Sequence, residues 1–297
     1  YGGATTASSI TGTGALTLGA GLTVLDATTG TAGATIGCPV TLSVASTSVS
    51  VADDGTSATD LTITGIISGT SFGLNKTNSG TLLLSGVNTY TGTTTISGGI
   101  VALSANNRIA NASNMILNGG TFSNGLTSGF NETVGTLTLS DTSTIALATG
   151  GNTLTYAVSN GTSWTSGETL TITGWVGGYN GTGATGSNPK IFVGTTAAGL
   201  TSGQLNQIQF FDGTNNYVAI LLSTGELVPS AAPRIQSFSP TTVCSGSSVT
   251  ITGIGFTGAT AVRVNGVNVA SFVVNSSTSI TATLSATNTT GQVTVVG

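Results

Sequence analysis

The acidic residues are the side chains best able to do chemistry here, because the chain contains no histidine. Without histidine, Ser-His-Asp and Cys-His catalysis are excluded, as are zinc sites with imidazole ligands. The densest acidic group is Asp53, Asp54 and Asp60. Carboxylates at this spacing suit a Ca²⁺ ion, but the same residues in a polar turn would cap backbone N–H groups instead. Both interpretations stay open at this point.

Other catalytic and binding classes lack their usual signals. No glycine-rich segment has the Gly-x-x-x-x-Gly-Lys-Ser/Thr spacing of a phosphate-binding loop, and nothing marks out a carboxylate pair for glycoside cleavage. Charged residues make up 5% of the chain and only five are basic, which is too few to attract nucleic acid or an anionic membrane. No apolar run approaches the ~18 residues of a membrane span. We predict a non-enzymatic protein with no cofactor, no nucleic-acid partner and no membrane insertion.

The elements that position these residues are short strands. Aliphatic side chains alternate with Thr or Ser, as a half-buried strand requires. Because the strands are short and two-residue hairpin signals are sparse, stacked coils with a continuous aliphatic interior explain the pattern best. We predict an all-β fold whose main part is a right-handed parallel β-helix, with an irregular sandwich as the alternative. The segments that carry the pattern are residues 61–65, 80–86, 94–103, 114–122, 135–140 and 169–174.

Turn residues mark the corners of these coils. Gly-Gly pairs are suited to corners that need a positive φ, and asparagines are expected to stand at corners and to stack as ladders. A short helix is predicted at about residues 202–207. The glycine pairs are at 98–99, 119–120 and 150–151, and the asparagines are Asn75, Asn88, Asn106, Asn118 and Asn131.

A proline-rich break divides the chain. Pro229 and Pro233 flank small residues and interrupt any sheet ladder, because proline has no backbone donor. We predict a β-helix domain over residues 1–229 and a second domain over residues 230–297. The second domain has five alternating strands separated by turn signals, which is typical of a β-sandwich.

Two segments resemble known families. Residues 79–103 contain Leu-Ser-Gly-Val-Asn-Thr-Tyr-Thr-Gly followed by Gly-Gly, and this motif resembles the passenger-associated transport repeat of autotransporters and related secreted bacterial proteins. The resemblance implies an extracellular β-helix. Residues 233–297 are similar to the IPT/TIG domain, an immunoglobulin-like sandwich. That family continues with one more edge strand after the Val-Thr-Val-Val segment, where this chain ends.

An open sheet edge has two interpretations. The chain is part of a longer polypeptide, or a strand from the next subunit fills the gap by donor-strand complementation and builds a filament. Stacking of open β-helix ends is a second route to the same polymer. Residues 15–25 are the best donor candidate, but the preferred interpretation is that they form the first coil. The donor positions are Ala15, Leu16, Leu18, Leu22 and Val24.

Aromatic residues and cysteines give two further candidates. Trp164, Trp175 and Tyr179 precede a Gly-rich loop, where they would either contact a glycan or cap the last coil. Cys38 and Cys244 are the two cysteines. In an extracellular chain they would form a disulfide within or between subunits, and otherwise they are buried free thiols.

The functional interpretation is mechanical. We predict a structural subunit of an extracellular bacterial fibre or surface layer, located outside the cell or on its surface, whose main partner is another copy of itself. The alternative is a stalk or adhesin segment of a larger secreted protein, with surface glycans as partners. A carbohydrate-active enzyme is a third class, kept because β-helices often host such enzymes.

Overall fold

The computed structural model describes residues 8–25, 33–184, 186 and 188–297, and it is almost entirely β. The chain divides into two compact units. The first unit contains the residues up to Gly177 together with Gly183–Ile208 and Leu221–Leu227, and the second contains Gly178–Thr182, Gln209–Ile220 and Val228–Gly297. The boundary predicted at residue 229 between independent domains stays a prediction.

The first unit is a parallel β-solenoid of about seven turns, which confirms the predicted fold class. Its strands are β1 (Ser9–Ile10), β2 (Leu16–Leu18), β3 (Gly21–Val24), β4 (Ala34–Ile36), β5 (Val40–Leu42), β6 (Ser46–Val51), β7 (Leu61–Ile63), β8 (Ile67–Ser68), β9 (Gly73–Thr77), β10 (Thr81–Leu84), β11 (Thr94–Ile96), β12 (Ile100–Leu103), β13 (Met115–Asn118), β14 (Thr121–Ser123), β15 (Glu132–Val134), β16 (Leu137–Asp141), β17 (Ser143–Ala146), β18 (Thr153–Tyr156), β19 (Leu170–Thr173) and β20 (Lys190–Val193).

These strands form the sides of the solenoid. One side has the order β1-β4-β7-β10-β12-β14-β17-β19, and a second has β16-β13-β11-β9-β6-β3. The third side has two shorter sheets, β2-β5-β8 and β15-β18-β20. Along the first side, partner residues in adjacent turns are 19 to 27 positions apart in sequence. Turns of unequal length therefore keep a common register along the stack.

The core of the solenoid is a set of aliphatic and aromatic columns. On the first side, one side chain from each of six successive turns lies directly above the last, and all six are fully buried. Complete burial of such a side chain contributes about 1.5–3 kcal/mol. This column is Leu61, Leu82, Val101, Phe122, Ile145 and Ile172.

The Gly-Gly corners and the short helix agree with the sequence pattern. The expected corner position is wrong for Asn75 and Asn118, because these residues belong to the strands β9 and β13. Gly99 has a φ of 60°, and an added Cβ would lie 2.3 Å from the Gly80 carbonyl oxygen, so a larger residue does not fit this corner. The helix α1 (Ser202–Asn206) confirms the predicted helix. It begins with a capping box, in which Thr201 Oγ1 accepts a hydrogen bond from the Gln204 N–H and Gln204 Oε1 accepts one from the Thr201 N–H.

The remaining strands are β21 (Ile208–Phe211), β22 (Asn216–Leu221), β23 (Leu227–Ser230), β24 (Arg234–Ser239), β25 (Ser248–Ile254), β26 (Ala261–Val264), β27 (Val267–Asn268), β28 (Ser271–Ser276), β29 (Ser279–Thr283) and β30 (Val293–Val296). Strands β21 and β22 form an antiparallel hairpin. Two antiparallel sheets, β24-β25-β29-β28 and β27-β26-β30, enclose one hydrophobic core that includes Ile251, Phe256, Val262 and Ile280. The resemblance of this part to IPT/TIG domains stays a prediction.

Strand β30 lies at the edge of its sheet. Within the described residues it pairs with β26 on one side and has no strand on the other. Its core-facing residues Val293 and Val295 are half-buried, whereas Val262 on the neighbouring strand is 1% exposed. The core is therefore less completely covered at this edge.

Candidate functional site

The polar residues of segment 85–92 link neighbouring turns at a place where their own turn forms no strand, next to β8 of the preceding turn. Asn88 is 4% exposed. Its Oδ1 accepts a hydrogen bond from the Ile67 N–H at 2.8 Å, and its Nδ2 donates to the Arg108 carbonyl oxygen at 2.7 Å. The Asn88 amide adds to the backbone bonds between these turns, such as the one from the Thr89 N–H to the Ile67 carbonyl oxygen, and it connects three successive turns.

Tyr90 begins a buried chain of hydroxyl groups. Its hydroxyl lies 2.7 Å from Thr94 Oγ1, which lies 2.9 Å from Ser113 Oγ. Ser113 donates to the Gly92 carbonyl oxygen at 2.7 Å. Since Ser113 uses its proton on Gly92, Thr94 donates to Ser113 and Tyr90 donates to Thr94. Every hydroxyl proton of this chain is satisfied inside the solenoid.

Lys76 is fully buried on β9, on the same face as Leu74. Its Nζ donates to three backbone carbonyl oxygens, those of Thr77 at 3.0 Å, Asn78 at 2.8 Å and Gly98 at 3.2 Å. Burial lowers the pKa of Lys76 to about 8, and the negative charge of Asp60 partly opposes this shift. The Lys76 ammonium group therefore links its own turn to the Gly98 corner of the following turn through hydrogen bonds.

Glu132 is also fully buried, and it lies at the start of β15. Its Oε2 accepts hydrogen bonds from the N–H groups of Arg108 at 2.7 Å and Ile109 at 3.3 Å, and its Oε1 accepts one from the Thr133 N–H at 3.2 Å. Burial raises the pKa of Glu132 to about 7, although these bonds and the Arg108 charge act in the opposite direction. Arg108 Nε is itself buried without a hydrogen-bond partner.

Lys76 and Glu132 were not predicted from the sequence, although a signal for their burial was present. Each lies two positions from an aliphatic residue of its strand, Leu74 and Val134, so strict alternation puts both side chains in the interior. Because they are buried, these charged groups have no face open to a dissolved substrate. What their arrangement can do is fix neighbouring turns in one register.

The comparison with protein families agrees with this geometry. Residues 74–103 match the family described as the passenger-associated-transport-repeat, and this range includes Lys76, Asn88 and Tyr90. The match spans a small part of the chain and supports the β-helix. No curated protein and no solved structure matched the chain significantly. Among the described residues, no helix has the length and hydrophobicity that a membrane crossing requires.

The acidic cluster is assembled as the sequence spacing suggests. One carboxylate oxygen from each of Asp53, Asp54 and Asp60 lies within 4.8 Å of the others. Asp54 also caps its own turn, since its Oδ1 accepts hydrogen bonds from the Ser57 N–H at 2.6 Å and the Thr56 N–H at 2.8 Å. These bonds lower the pKa of Asp54 to about 2. The turn role is visible in the geometry, and calcium binding stays a prediction.

The predicted aromatic residues lie in different surroundings. Trp164 is half-buried, and its indole N–H donates to the Leu137 carbonyl oxygen at 3.1 Å. Trp175 is 5% exposed, so its ring offers little surface to a glycan. Tyr179 is half-buried and packs against Tyr217, a residue that the sequence analysis did not select. Glycan contact through the two tryptophans stays a prediction.

The cysteines and the proposed donor residues are the last of the residues predicted from the sequence. Cys38 and Cys244 are free thiols, so no disulfide joins them within the chain, and the expectation of two buried thiols holds for Cys38 but is wrong for the exposed Cys244. A disulfide between subunits stays a prediction. Residues 16–18 and 21–24 form β2 and β3, which pair with β5 and β6. This is the preferred first-coil interpretation. A donor role for Ala15, Leu16, Leu18, Leu22 and Val24 would require these strands to leave the solenoid.

Proposed function

We propose that this chain is a non-catalytic structural segment of a secreted or surface-exposed bacterial protein, and that it assembles with copies of itself. The observation that carries the proposal is the parallel β-solenoid that contains the passenger repeat. Such a solenoid presents hydroxyl-rich faces and uses its buried polar groups to hold turns together, and charged residues make up 5% of the whole chain. A stiff rod of this kind needs no cofactor to function.

Self-assembly is supported by exposed strand edges. Strand β30 has an unpaired edge, among the described residues, beside half-buried Val293 and Val295. At the first turn of the solenoid, β1, β2 and β3 each end a sheet as far as residues 8–25 and 33–184 are concerned, and Ile10 is 46% exposed. Unpaired edges of this kind recruit further strands. We propose a second copy of this chain as the occupant, in a head-to-tail arrangement that continues into a fibre.

Electron microscopy and light scattering of the purified chain test this proposal. We expect concentration-dependent oligomers and filaments with a regular axial repeat. Thr294→Lys places a charge on the edge strand β30 and should shorten or abolish the filaments, because edge lysines oppose strand addition. The matched control is Thr252→Lys, which introduces the same charge on β25, a strand that is paired on both sides.

A chain that stays monomeric at high concentration would overturn self-assembly. The alternative is then a stalk or adhesin segment, in which the solenoid is a spacer within a longer polypeptide. The passenger-repeat match covers residues 74–103 and carries no information about assembly. It therefore supports a stalk or adhesin segment as well. The mass of the intact natural protein separates the two, since a stalk requires additional chain beyond these residues.

A further inference from the structure

Tyr217 of the β21–β22 hairpin packs against Tyr179, which lies in the segment Gly178–Thr182 of the same compact unit. The ring centroids of Tyr179 and Tyr217 are 4.1 Å apart, and their planes are inclined by 35°. Tyr217 lies on β22 opposite Phe210. The backbone carbonyl of Tyr179 accepts a hydrogen bond from the Ala231 N–H at 2.8 Å. Both tyrosine residues are half-buried, so part of each residue is accessible to solvent.

An exposed carboxylate borders the rings. The Tyr217 hydroxyl donates to Asp212 Oδ2 at 2.8 Å. Asp212 Oδ1 accepts hydrogen bonds from the N–H groups of Asn215 at 2.7 Å and Thr214 at 2.8 Å. These backbone bonds hold the pKa of Asp212 below its usual range. The carboxylate is therefore ionised and fixed in position next to the aromatic pair.

We propose that Tyr179, Tyr217 and Asp212 form a binding surface for an uncharged sugar ring of a polysaccharide. A sugar ring has a face of C–H groups that packs against an aromatic ring, and its rim of hydroxyl groups can donate to a carboxylate. The negative charge of Asp212, together with the net charge of −4 of the chain, disfavours anionic sugars. This surface differs from the set predicted from sequence because Tyr217 and Asp212 take the place of the tryptophans.

A cationic ligand is the main competing class, since aromatic rings and a carboxylate also attract ammonium groups. Asp212 already accepts hydrogen bonds from two N–H groups and one O–H group, which compensate part of its charge. This local compensation favours a neutral hydroxyl donor over a cation. The inference does not depend on whether the chain assembles, because all of its residues belong to one compact unit.

Isothermal titration calorimetry of the full chain with cellohexaose, laminarihexaose and mannohexaose tests the proposal. We expect at least one of these neutral oligosaccharides to bind. Tyr217→Ala should weaken that binding about tenfold, which is the size expected for loss of one aromatic stacking partner. Tyr217→Phe keeps the ring and should stay within about threefold of the unchanged protein.

Phe211→Ala is the matched control, because it removes a half-buried aromatic residue from the same hairpin at a position opposite Asn216, on the strand face that alternates with that of Phe210 and Tyr217. It should bind like the unchanged protein, and thermal melts of all variants verify that they fold. If Tyr217→Ala does not fold, Asp212→Ala replaces it and should weaken binding about fivefold through loss of the acceptor. Failure of all three oligosaccharides to bind would overturn the proposal. So would binding that these substitutions leave unchanged, or binding of tetramethylammonium in place of the sugars.

Discussion

Asn88 offers the most direct test of how the passenger-repeat segment holds the solenoid together. Asn88→Ala removes both hydrogen bonds of the amide and leaves the Ile67 N–H and the Arg108 carbonyl without their partners. Each buried polar group left unpaired costs about 1–3 kcal/mol. The Asn88 side chain is 4% exposed and its bond to the Ile67 N–H is buried, so water has little access to that N–H group. We therefore expect the free energy of unfolding to fall by about 2–5 kcal/mol.

Urea unfolding followed by circular dichroism measures this change, and amide hydrogen exchange localises it. The Ile67 amide should lose much of its protection, since its acceptor is gone. The matched control is Asn106→Ala. Asn106 is exposed, and its Oδ1 accepts a hydrogen bond from the Asn131 N–H at 2.8 Å. Water can replace that bond, so the loss should be below about 1 kcal/mol.

The reasoning would be refuted if Asn88→Ala unfolded at the same urea concentration as Asn106→Ala. It would also be refuted if Asn88→Ala were destabilised while the Ile67 amide kept its full protection. The first result would mean that buried amide bonds between turns contribute nothing beyond exposed ones. The second would mean that the destabilisation arises elsewhere in the chain.

The remaining predictions concern the buried charges and the tight contacts between turns. Burial raises the pKa of Glu132 from 4.5 to about 7, so stability present below pH 4.5 is lost as the pH rises through about 7. Burial lowers the pKa of Lys76 from 10.5 to about 8, so stability present above pH 10.5 is lost as the pH falls through about 8. Each effect amounts to roughly 3 kcal/mol, so thermal melts should have their lowest midpoint between about pH 7 and 8. Glu132→Gln should flatten the acid side of that profile, and an unchanged profile would contradict the assignment. Gly86→Ala should lower the free energy of unfolding in urea by ~2 kcal/mol or more, because the added Cβ would lie 2.3 Å from the Gly65 carbonyl oxygen. Gly98→Ala is the control. The nearest atom to its added Cβ is 3.2 Å away, so the free energy of unfolding should fall by less than half as much.

Much of the solenoid could be predicted from the sequence, because the alternation that forms its strands involves only residues that are close together in the chain. Alternation of aliphatic and hydroxyl residues predicts strands at residues 61–65, 80–86 and 169–174, and the structure has strands β7, β10 and β19 there. Part of the expected asparagine ladder is also present. Asn106 Oδ1 accepts from the Asn131 N–H, and Asn131 Oδ1 accepts from the Thr153 N–H.

The less predictable features depend on which turns become neighbours. Alternation places Lys76 in the interior, but it does not identify the three carbonyl partners, which come from its own corner and from the corner of the following turn. The sequence singles out Tyr179 because it lies near two tryptophans. Its actual partner Tyr217 is 38 positions away and is brought to it by the fold. Contacts at such distances have no signature in a single sequence.

The mixed interior of the middle turns has a consequence for how the chain finds its native arrangement. Columns made purely of aliphatic side chains would accept a turn displaced by two residues almost as well as the native one, since the same face would still point inward. The hydrogen bonds of Asn88, Tyr90, Lys76 and Glu132 form only when neighbouring turns are stacked in one register. A misaligned turn would leave polar atoms unpaired in the apolar interior, which is costly. These residues therefore determine which residues of adjacent turns pair during folding.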